Sequence, residues 1–293
     1  MPALQDFHPI VGEWFARAYG EPSPPQELGW PHISAGEHSL ILAPTGSGKT
    51  LAAFLWAINH LVEQKLEGPI GPGVRILYVS PLKALNNDIE RNLEAPLRGI
   101  AEGARARGVT LPGISVAVRT GDTPQSRRAA MLRHPPDILI TTPESLYLML
   151  TSPRSRELFR TVQYCIVDEI HSLCSNKRGV HLSLTLERLQ LVADQEFVRI
   201  GLSATQRPLD RIAAFLGGLD ERGRGPEPRP VTIIDAGRKK ETDLRVSCPV
   251  PDFSLLPQGS VWPILFDHLL ELIRAHRTTL VFVNNRRLAE RVA

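Results

Sequence analysis

Apolar and polar positions follow two patterns along the chain. Apolar runs of four to six residues, typical of buried strands, begin at residues 39, 74, 114, 137, 162 and 198. Longer segments between them, such as residues 51–62 and 180–192, carry apolar side chains at helical spacing. Buried strands that alternate with helices are typical of a mostly parallel sheet covered on both faces. We therefore predict an α/β fold.

A change of composition divides the chain. Residues 218–230 are rich in glycine, proline and charged side chains, which indicates a linker. We predict one domain over residues 1–217 and the start of a second α/β unit over residues 231–293. The second unit would open with an apolar strand, continue with a helix near residues 262–276 and a strand at residues 279–283, and remain incomplete.

The composition argues against a disordered chain, a zinc or iron–sulfur protein and a membrane protein. Apolar residues make up 42% of the 293 positions and charged residues 22%, as in a globular domain. The net charge of +3 permits nucleic-acid binding without arguing for it. The three cysteines form no C-x-x-C pair, so we expect no zinc or iron–sulfur centre. Without a signal-like N-terminus or an apolar run of ~18–20 residues, we expect a cytoplasmic protein with no membrane partner.

The most informative stretch is Ala-Pro-Thr-Gly-Ser-Gly-Lys-Thr at residues 43–50, between a predicted strand and a predicted helix. This order is the context of a phosphate-binding loop, although Ala43 stands where the strict pattern has glycine. Glycines let backbone N–H groups surround a phosphate, and the helix N-terminus attracts its charge. Lys49 would reach the β- and γ-phosphates, and the Thr50 hydroxyl would bind Mg²⁺. The predicted nucleotide-binding residues of this loop are Thr45, Gly46, Ser47, Gly48, Lys49 and Thr50.

Two adjacent acids, Asp168 and Glu169, follow the apolar run at residues 162–167. Nucleotide hydrolysis needs a carboxylate that helps to hold Mg²⁺ and a base that activates water. We assign the metal to Asp168 and the attacking water to Glu169, with Lys49 as the third catalytic residue. An ordinary acidic strand end is the alternative, but the upstream phosphate-binding loop favours a catalytic pair.

Residues 43–50, residues 168–171 and Ser203-Ala204-Thr205, in this order, resemble motifs I, II and III of superfamily 2 helicases. The longer segments that resemble the large helicase-related (Lhr-type) helicases are residues 135–147, 177–179, 186–189 and 282–287. The resemblance covers nearly the whole chain. It implies a RecA-like P-loop NTPase domain followed by the start of a second RecA-like domain. It also implies ATP and Mg²⁺ as cofactors, and single-stranded DNA or a DNA–RNA hybrid as partner.

The resemblance assigns further roles. Gln26 resembles the adenine-reading glutamine ahead of motif I; judged from its neighbours alone, a surface-loop glutamine is the simpler interpretation. The residues that would contact the nucleic-acid backbone, without sequence selectivity, are Pro81, Lys83, Thr120, Gly121, Thr142, Pro143 and Glu144. The residues that would couple the nucleotide state to these contacts are His171, Ser203 and Thr205.

Simpler alternatives remain open for several residues. Without the resemblance, Lys83 is equally a solvated helix start, and residues 177–179 are equally a basic loop. A core histidine is the alternative for His171, but its place in the segment that resembles motif II favours a coupling role. Trp262 is more simply explained by packing than by base stacking. A solvated helix face is the simpler explanation for three basic side chains, Arg127, Arg128 and Arg133.

The function implied is the N-terminal, ATP-binding part of an ATP-dependent helicase or translocase that moves on single-stranded DNA, with DNA repair as its role. Nothing after residue 230 resembles motif V or motif VI, and in the family motif VI supplies the arginines of the second lobe. We therefore expect the chain alone to bind ATP weakly and hydrolyse it poorly, and to need the missing second lobe and C-terminal domains as partners. The alternatives are a truncated nucleic-acid-binding module with a vestigial ATP site, or an RNA helicase. Another P-loop NTPase, such as a transporter ATPase, is disfavoured by the segments at residues 142–144 and 203–205.

Overall fold

The computed structural model describes residues 2–204, 207–220, 225–237, 243–248, 250 and 260–293, with the backbone alone for residues 2, 83–85 and 87. It divides the chain into two compact units, Met1–Arg238 and Lys239–Ala293.

The first unit is built on a seven-stranded sheet in which every recorded pair of neighbours is parallel. The strands of the chain are β1 Ser39–Leu42, β2 Ile76–Val79, β3 Val116–Arg119, β4 Ile138–Thr141, β5 Tyr164–Val167, β6 Val198–Ser203, β7 Leu219–Asp220, β8 Glu227–Pro228 and β9 Thr232–Asp235. The sheet has the order β3-β4-β2-β5-β6-β1-β9, and β7 and β8 form a separate antiparallel pair. The predicted α/β fold with a mostly parallel sheet is confirmed.

Helices connect most of these strands. They are α1 Pro9–Tyr19, α2 Pro24–Ser34, α3 Lys49–Glu67, α4 Lys83–Ala106, α5 Gln125–Arg133, α6 Pro143–Thr151, α7 Pro153–Arg156, α8 Lys177–Val192, α9 Leu209–Gly217, α10 Trp262–Ala275 and α11 Arg286–Val292. Capping side chains and prolines determine where several of these helices begin. The Thr142 side chain caps α6, with Pro143 at its first position, and Asn176 Oδ1 caps α8 by accepting from Gly179 N at 3.0 Å.

The core lies on both faces of the sheet. On one face α1, α2, α3 and α4 pack with side chains such as Trp30 and Phe54. On the other face α6, α8 and α9 pack with side chains such as Phe159 and Leu186. Because β1, β2, β4 and β5 are buried along their whole length, their sequences are continuous apolar runs, not alternating ones.

The end of the first unit differs from the predicted boundary. Residues 231–234 were expected to open the second unit, but β9 pairs in parallel with β1, with Leu40 opposite Ile233. Without β9, the strand β1 would be an edge strand with unpaired N–H and C=O groups. The β-branched residues of β9 pair with those backbone groups. Buried Arg229 fixes the approach to β9, because its Nη1 donates to Glu187 and to Gly217 O at 3.0 Å. Residues 218–230 therefore connect two parts of one unit, and the boundary lies near residue 238.

The second unit contains α10 and α11 among its described residues. Helix α10 begins and ends close to the predicted positions, and the Arg291 guanidinium lies 4.1 Å from the ring centroid of Trp262, which favours the packing role for this side chain. The strand predicted at residues 279–283 is absent from the described structure, where Leu280 and Phe282 are 78% and 89% exposed. A strand needs the backbone of a partner, and the described part of this unit offers none. Across the described part of the chain, no helix is both long and apolar enough to cross a membrane.

Candidate nucleotide-binding site

The loop between β1 and α3 has the conformation that the glycine pattern predicts. Gly46 and Gly48 have φ angles of 78° and 88°, in the left-handed region that glycine enters without strain. A Cβ atom on Gly48 would lie 2.9 Å from both Gln26 Nε2 and Ser23 Oγ. Glycine is therefore required at position 48 for its backbone and for the space beside it.

The amine of Lys49 lies inside this loop. Lys49 is the first residue of α3 and is 6% exposed. Its Nζ lies 3.5 Å from Ala43 O and 3.9 Å from Glu169 Oε1, both at the long limit of a polar contact. A buried ammonium with such distant partners suits a site in which a ligand supplies the close anion. The buried Ser47 Oγ, which has no hydrogen-bond partner in the described structure, points to the same conclusion.

The loop opens into a cavity of about 570 Å³, a volume typical of small-molecule sites. Its lining joins separate parts of the chain: Tyr19, Glu21, Ser23, Gln26, Thr45, Gly46, Ser47, Gly48, Lys49, Thr50, Leu51, Phe54, Ile89, Asn92, Leu93, Pro96, Asp168 and Glu169. All predicted ATP and Mg²⁺ residues are in this set. Sequence reasoning missed the other half of the lining: Tyr19, Glu21, Ser23, Leu51, Phe54, Ile89, Asn92, Leu93 and Pro96. The signal in the sequence was an aromatic residue, Tyr19, shortly before the segment that contains Gln26. In the structure Tyr19 ends α1 and is 56% exposed.

Gln26 lies in the first turn of α2 and is 4% exposed, which excludes the surface-loop alternative. Its Oε1 accepts from Ser23 N at 2.8 Å, and its Nε2 donates to Gly48 O at 3.4 Å. The amide therefore joins the start of α2 to the phosphate-binding loop with one bond accepted by its oxygen and one donated by its nitrogen, which leaves one N–H and one lone pair for a ligand.

Asp168 and Glu169 follow β5 at the carboxyl edge of the sheet. Asp168 is 3% exposed; its N donates to Val79 O at 2.9 Å and its Oδ1 accepts from Glu169 N at 2.8 Å. Its Oδ2 accepts from the hydroxyl of Tyr78. Burial, reinforced by the Asp168 carboxylate, raises the pKa of Tyr78 far above its ordinary value, so the hydroxyl remains a donor.

Glu169 has a strained backbone. Among the described residues other than glycine, it alone has a positive φ, of 49°. Such strain is concentrated at functional sites. The turn aims the carboxylate at two partners: Oε1 lies 3.9 Å from Lys49 Nζ, and Oε2 lies 3.2 Å from His171 Nε2.

His171 joins Glu169 to the end of β6. Its Nδ1 lies 3.3 Å from Ser203 Oγ and accepts from Ala204 N at 3.3 Å. Because a backbone N–H points at Nδ1, the neutral ring carries its proton on Nε2, facing Glu169. Two of the three predicted coupling residues, His171 and Ser203, thus form one network; Thr205 lies outside the described residues.

The residues predicted to contact a nucleic-acid backbone follow β2, β3 and β4. These strands occupy one side of the sheet, so their carboxyl ends meet at one edge. Pro81 is buried, and the backbone of Lys83 begins α4 while its side chain lies outside the description. Thr120 N donates to Thr123 Oγ1 at 2.8 Å in the turn that also contains Gly121.

Two arginines brace these turns. Arg128 Nε donates to Thr123 O at 2.6 Å and its Nη2 donates to Gly121 O at 2.7 Å, so Arg128 differs from the solvated residue expected at that position. Arg127 and Arg133 are exposed, as expected for a solvated face. Arg178 donates from Nε and, at 3.0 Å, from Nη2 to the carboxylate of Glu144. This hydrogen bonding is the main cause that lowers the pKa of Glu144 below its ordinary value.

The fold and the cavity define a P-loop nucleotide-binding domain of the RecA-like class. A family model of the DEAD/DEAH box helicases matches residues 23–212, and the chain belongs to this family. It is 49% identical over 289 residues to the Lhr helicase/probable uracil glycosylase of Mycolicibacterium smegmatis, covering 99% of this chain and 18% of that protein. It is 50% identical over 283 residues to the ATP-dependent helicase Lhr-Core protein 2 of Thermococcus barophilus, covering 97% of this chain and 32% of that protein.

A solved structure agrees with these relatives. The structure of Mycobacterium smegmatis helicase Lhr bound to ssDNA and AMP-PNP matches with a TM-score of 0.83 and 48% identity, over 99% of this chain and 35% of that one. The resemblance to Lhr-type helicases is therefore confirmed. The chain spans about a third or less of the length of the curated relatives it matches.

Proposed function

We propose that this chain is the N-terminal, ATP-binding part of an ATP-dependent helicase or translocase that acts on single-stranded DNA. The observation that carries the proposal is the cavity, where Gln26, Lys49, Asp168 and Glu169 meet from three separate parts of the chain. Residues 1–238 would be the first RecA-like lobe, and residues 239–293 would begin the second. The M. smegmatis structure that the chain resembles contains ssDNA and AMP-PNP, which supports both ligands.

The donor set at this site suits Mg²⁺. Among the described residues, no group of three or more His, Cys, Asp and Glu side chains is arranged to hold a metal alone. Mg²⁺ is commonly held by one or two carboxylates together with water and substrate phosphates, and here Asp168 and the Thr50 hydroxyl face the same cavity. A bound Mg²⁺ would neutralise charge on the β- and γ-phosphates.

The protein side chains would act in the following way. Gln26 would read the adenine edge, and backbone N–H groups of residues 45–50 would surround the phosphates. Lys49, which has only distant partners, would turn to the γ-phosphate. This movement would release Oε1 of Glu169 to orient the attacking water and take its proton, while Oε2 stays beside His171.

Coupling would run through His171. Its ring contacts Glu169 on one side and Ser203 and Ala204 on the other. A change of partner at Glu169 on hydrolysis would therefore alter the position of residues 203–205. We propose that Thr205 belongs to the same route, as the family resemblance implies.

On the other half of the edge, the turns after β2, β3 and β4 would hold the sugar–phosphate backbone through Pro81, Lys83, Thr120, Gly121, Thr142, Pro143 and Glu144. Such contacts position a strand and carry no sequence selectivity, so a DNA–RNA hybrid would fit the same surface. DNA repair is the proposed setting, as implied by the resemblance to Lhr-type helicases.

The test compares ATP hydrolysis by this chain with that by the full-length T. barophilus relative, each with and without single-stranded DNA. We expect DNA-stimulated turnover in the longer protein and weak ATP binding with poor turnover in this chain, because arginines of a second lobe contribute about 10³–10⁵-fold in related enzymes. Robust DNA-stimulated turnover by residues 1–293 alone would contradict the need for a second lobe. Strand binding that is indifferent to ATP would instead favour a nucleic-acid-binding module with a vestigial ATP site.

A further inference from the structure

A buried tyrosine contacts the carboxylate that faces the nucleotide cavity. Tyr78 lies on β2 opposite Ile166 of β5, and its side chain is 0% exposed. Its hydroxyl donates to Asp168 Oδ2, while Glu169 N donates to Asp168 Oδ1 at 2.8 Å. Each oxygen of this carboxylate therefore accepts one hydrogen bond from the protein.

The tyrosine ring is itself fixed by the helix that follows the phosphate-binding loop. It stacks on Phe54 of α3 with ring centroids 5.2 Å apart and planes 25° apart. Phe54 is also 0% exposed and stands about one helical turn after Thr50. The contact from Phe54 through Tyr78 thus links the helix that carries Thr50 to Asp168.

We propose that Tyr78 is a positioning residue for the divalent cation of the nucleotide site. The torsion that turns a carboxylate is broad, so an unrestrained Asp168 would sample several orientations. With one acceptor site of each oxygen occupied by Tyr78 and Glu169 N, the remaining lone pairs are held towards the cavity that Thr50 also lines. Hydrogen bonds that orient a ligating side chain typically strengthen metal binding by 10–100-fold. This inference rests on the proposed function, since it takes Asp168 as the metal-binding carboxylate.

A second buried tyrosine provides the matched control. Tyr164 lies on β5, is 6% exposed, and its hydroxyl lies 3.0 Å from His60 Nδ1. Tyr78→Phe and Tyr164→Phe remove the same atom from neighbouring strands, but only the first removes a partner of Asp168. A purely structural hydroxyl would lower the melting temperature without changing the response to metal.

The experiment measures the affinity of this chain for a fluorescent ATP analogue with and without Mg²⁺, together with thermal melting. The relevant quantity is the gain in affinity that Mg²⁺ produces. We expect Tyr78→Phe to reduce this gain about tenfold and to leave the metal-free affinity unchanged, whereas Tyr164→Phe keeps the gain of the wild type. Adding Tyr78→Phe to Asp168→Asn should cause no further loss, because Tyr78 acts through that carboxylate.

The outcomes separate the two proposals. If Asp168→Asn loses the Mg²⁺-dependent gain while Tyr78→Phe keeps it, the role of Tyr78 is wrong and the metal assignment stands. If Asp168→Asn keeps the gain, the metal assignment is wrong and the role of Tyr78 fails with it. Tyr78→Met also lacks the hydroxyl, and its flexible side chain fills most of the same space, so it should repeat the Phe result and serves if the Phe variant does not fold.

Discussion

The two halves of the sheet's carboxyl edge are built differently. Beyond β1, β5 and β6, two charged side chains are buried: Lys49 is 6% and Asp168 is 3% exposed. Beyond β2, β3 and β4, Thr120 and Thr142 are also buried, but the charged side chains of Arg178 and Glu144 are 38% and 52% exposed and bond to each other. A buried charge is costly without a close partner, whereas a surface pair is worth little and exchanges partners easily. The first half therefore suits a compact anionic ligand, and the second suits a strand that is gripped and released.

The largest expected effect comes from removing the catalytic base, Glu169, from the first half of the edge. Glu169→Gln in the complete protein should lower DNA-stimulated ATP turnover by about 10²–10⁴-fold, because the base that orients water is lost. Glu144→Gln makes the same chemical change on the other half and should leave DNA-independent turnover unchanged. Steady-state hydrolysis assays on both variants provide the measurement. Equal losses in the two would mean that the halves do not have separate roles.

A buried glycine in the first turn of α8 should have the next largest effect. A Cβ atom on Gly179 would lie 1.8 Å from Leu173 O, and the backbone at this position cannot move without breaking the Asn176 cap of α8. Gly179→Ala should lower the free energy of unfolding by about 3 kcal/mol, as measured by denaturant titration. Gly113→Ala, where nothing lies within 4 Å of the added atom, should change it by less than ~0.5 kcal/mol. A stable Gly179→Ala variant would refute this packing.

A smaller effect is expected at Arg178, which braces the strand-facing half. Arg178→Ala should weaken single-stranded DNA binding a few-fold, because Glu144 loses its bidentate partner, while ATP affinity stays constant. Arg156→Ala removes the same charge from α7 and is the control for a purely electrostatic loss. Fluorescence anisotropy with a labelled oligonucleotide measures both. An equal loss in the two variants would assign the effect to net charge alone.

The smallest effect concerns pH. Arg178 lowers the pKa of Glu144 in the folded protein, so the pair stabilises the fold above the ordinary glutamate pKa of about 4.3. This contribution is lost as the pH falls through the lowered folded value. Because Glu144 is half exposed, the difference in unfolding free energy between wild type and Glu144→Gln should be only ~0.5 kcal/mol at pH 7 and vanish at the acid end. Melting curves from pH 7 to pH 3 measure it; a difference that grows on acidification would contradict the assignment.

Sequence reasoning predicted best what short segments encode. The phosphate-binding loop and the Asp168–Glu169 pair each occupy one contiguous run, and the alternation of strands and helices predicts the parallel sheet at whose carboxyl edge both lie. It could not predict the hydrogen bond between Tyr78 and Asp168, whose partners are 90 residues apart and meet only because β2 and β5 are neighbours.

Two differences have the same physical origin. The glycines and prolines before the apolar run of β9 predict that it opens the second unit, yet the unpaired edge of β1 determines where it binds. Arg128 looked like one of three solvated side chains, but the carbonyls of Gly121 and Thr123 lie within its reach. In both cases tertiary contacts overrode the local pattern.

The central claim is that the cavity beside Lys49 binds ATP for DNA-stimulated hydrolysis. It is tested most directly by measuring the ATPase rate of the complete protein with saturating single-stranded DNA, for the wild type, Lys49→Ala and Lys65→Ala. Lys65 is a largely buried lysine whose Nζ lies 3.1 Å from Asp137 Oδ1. Its removal therefore tests the loss of a lysine elsewhere in the same fold. The proposal predicts that Lys49→Ala abolishes the stimulated rate and that Lys65→Ala retains it. A Lys49→Ala protein that folds normally and hydrolyses ATP at the wild-type rate would contradict the claim.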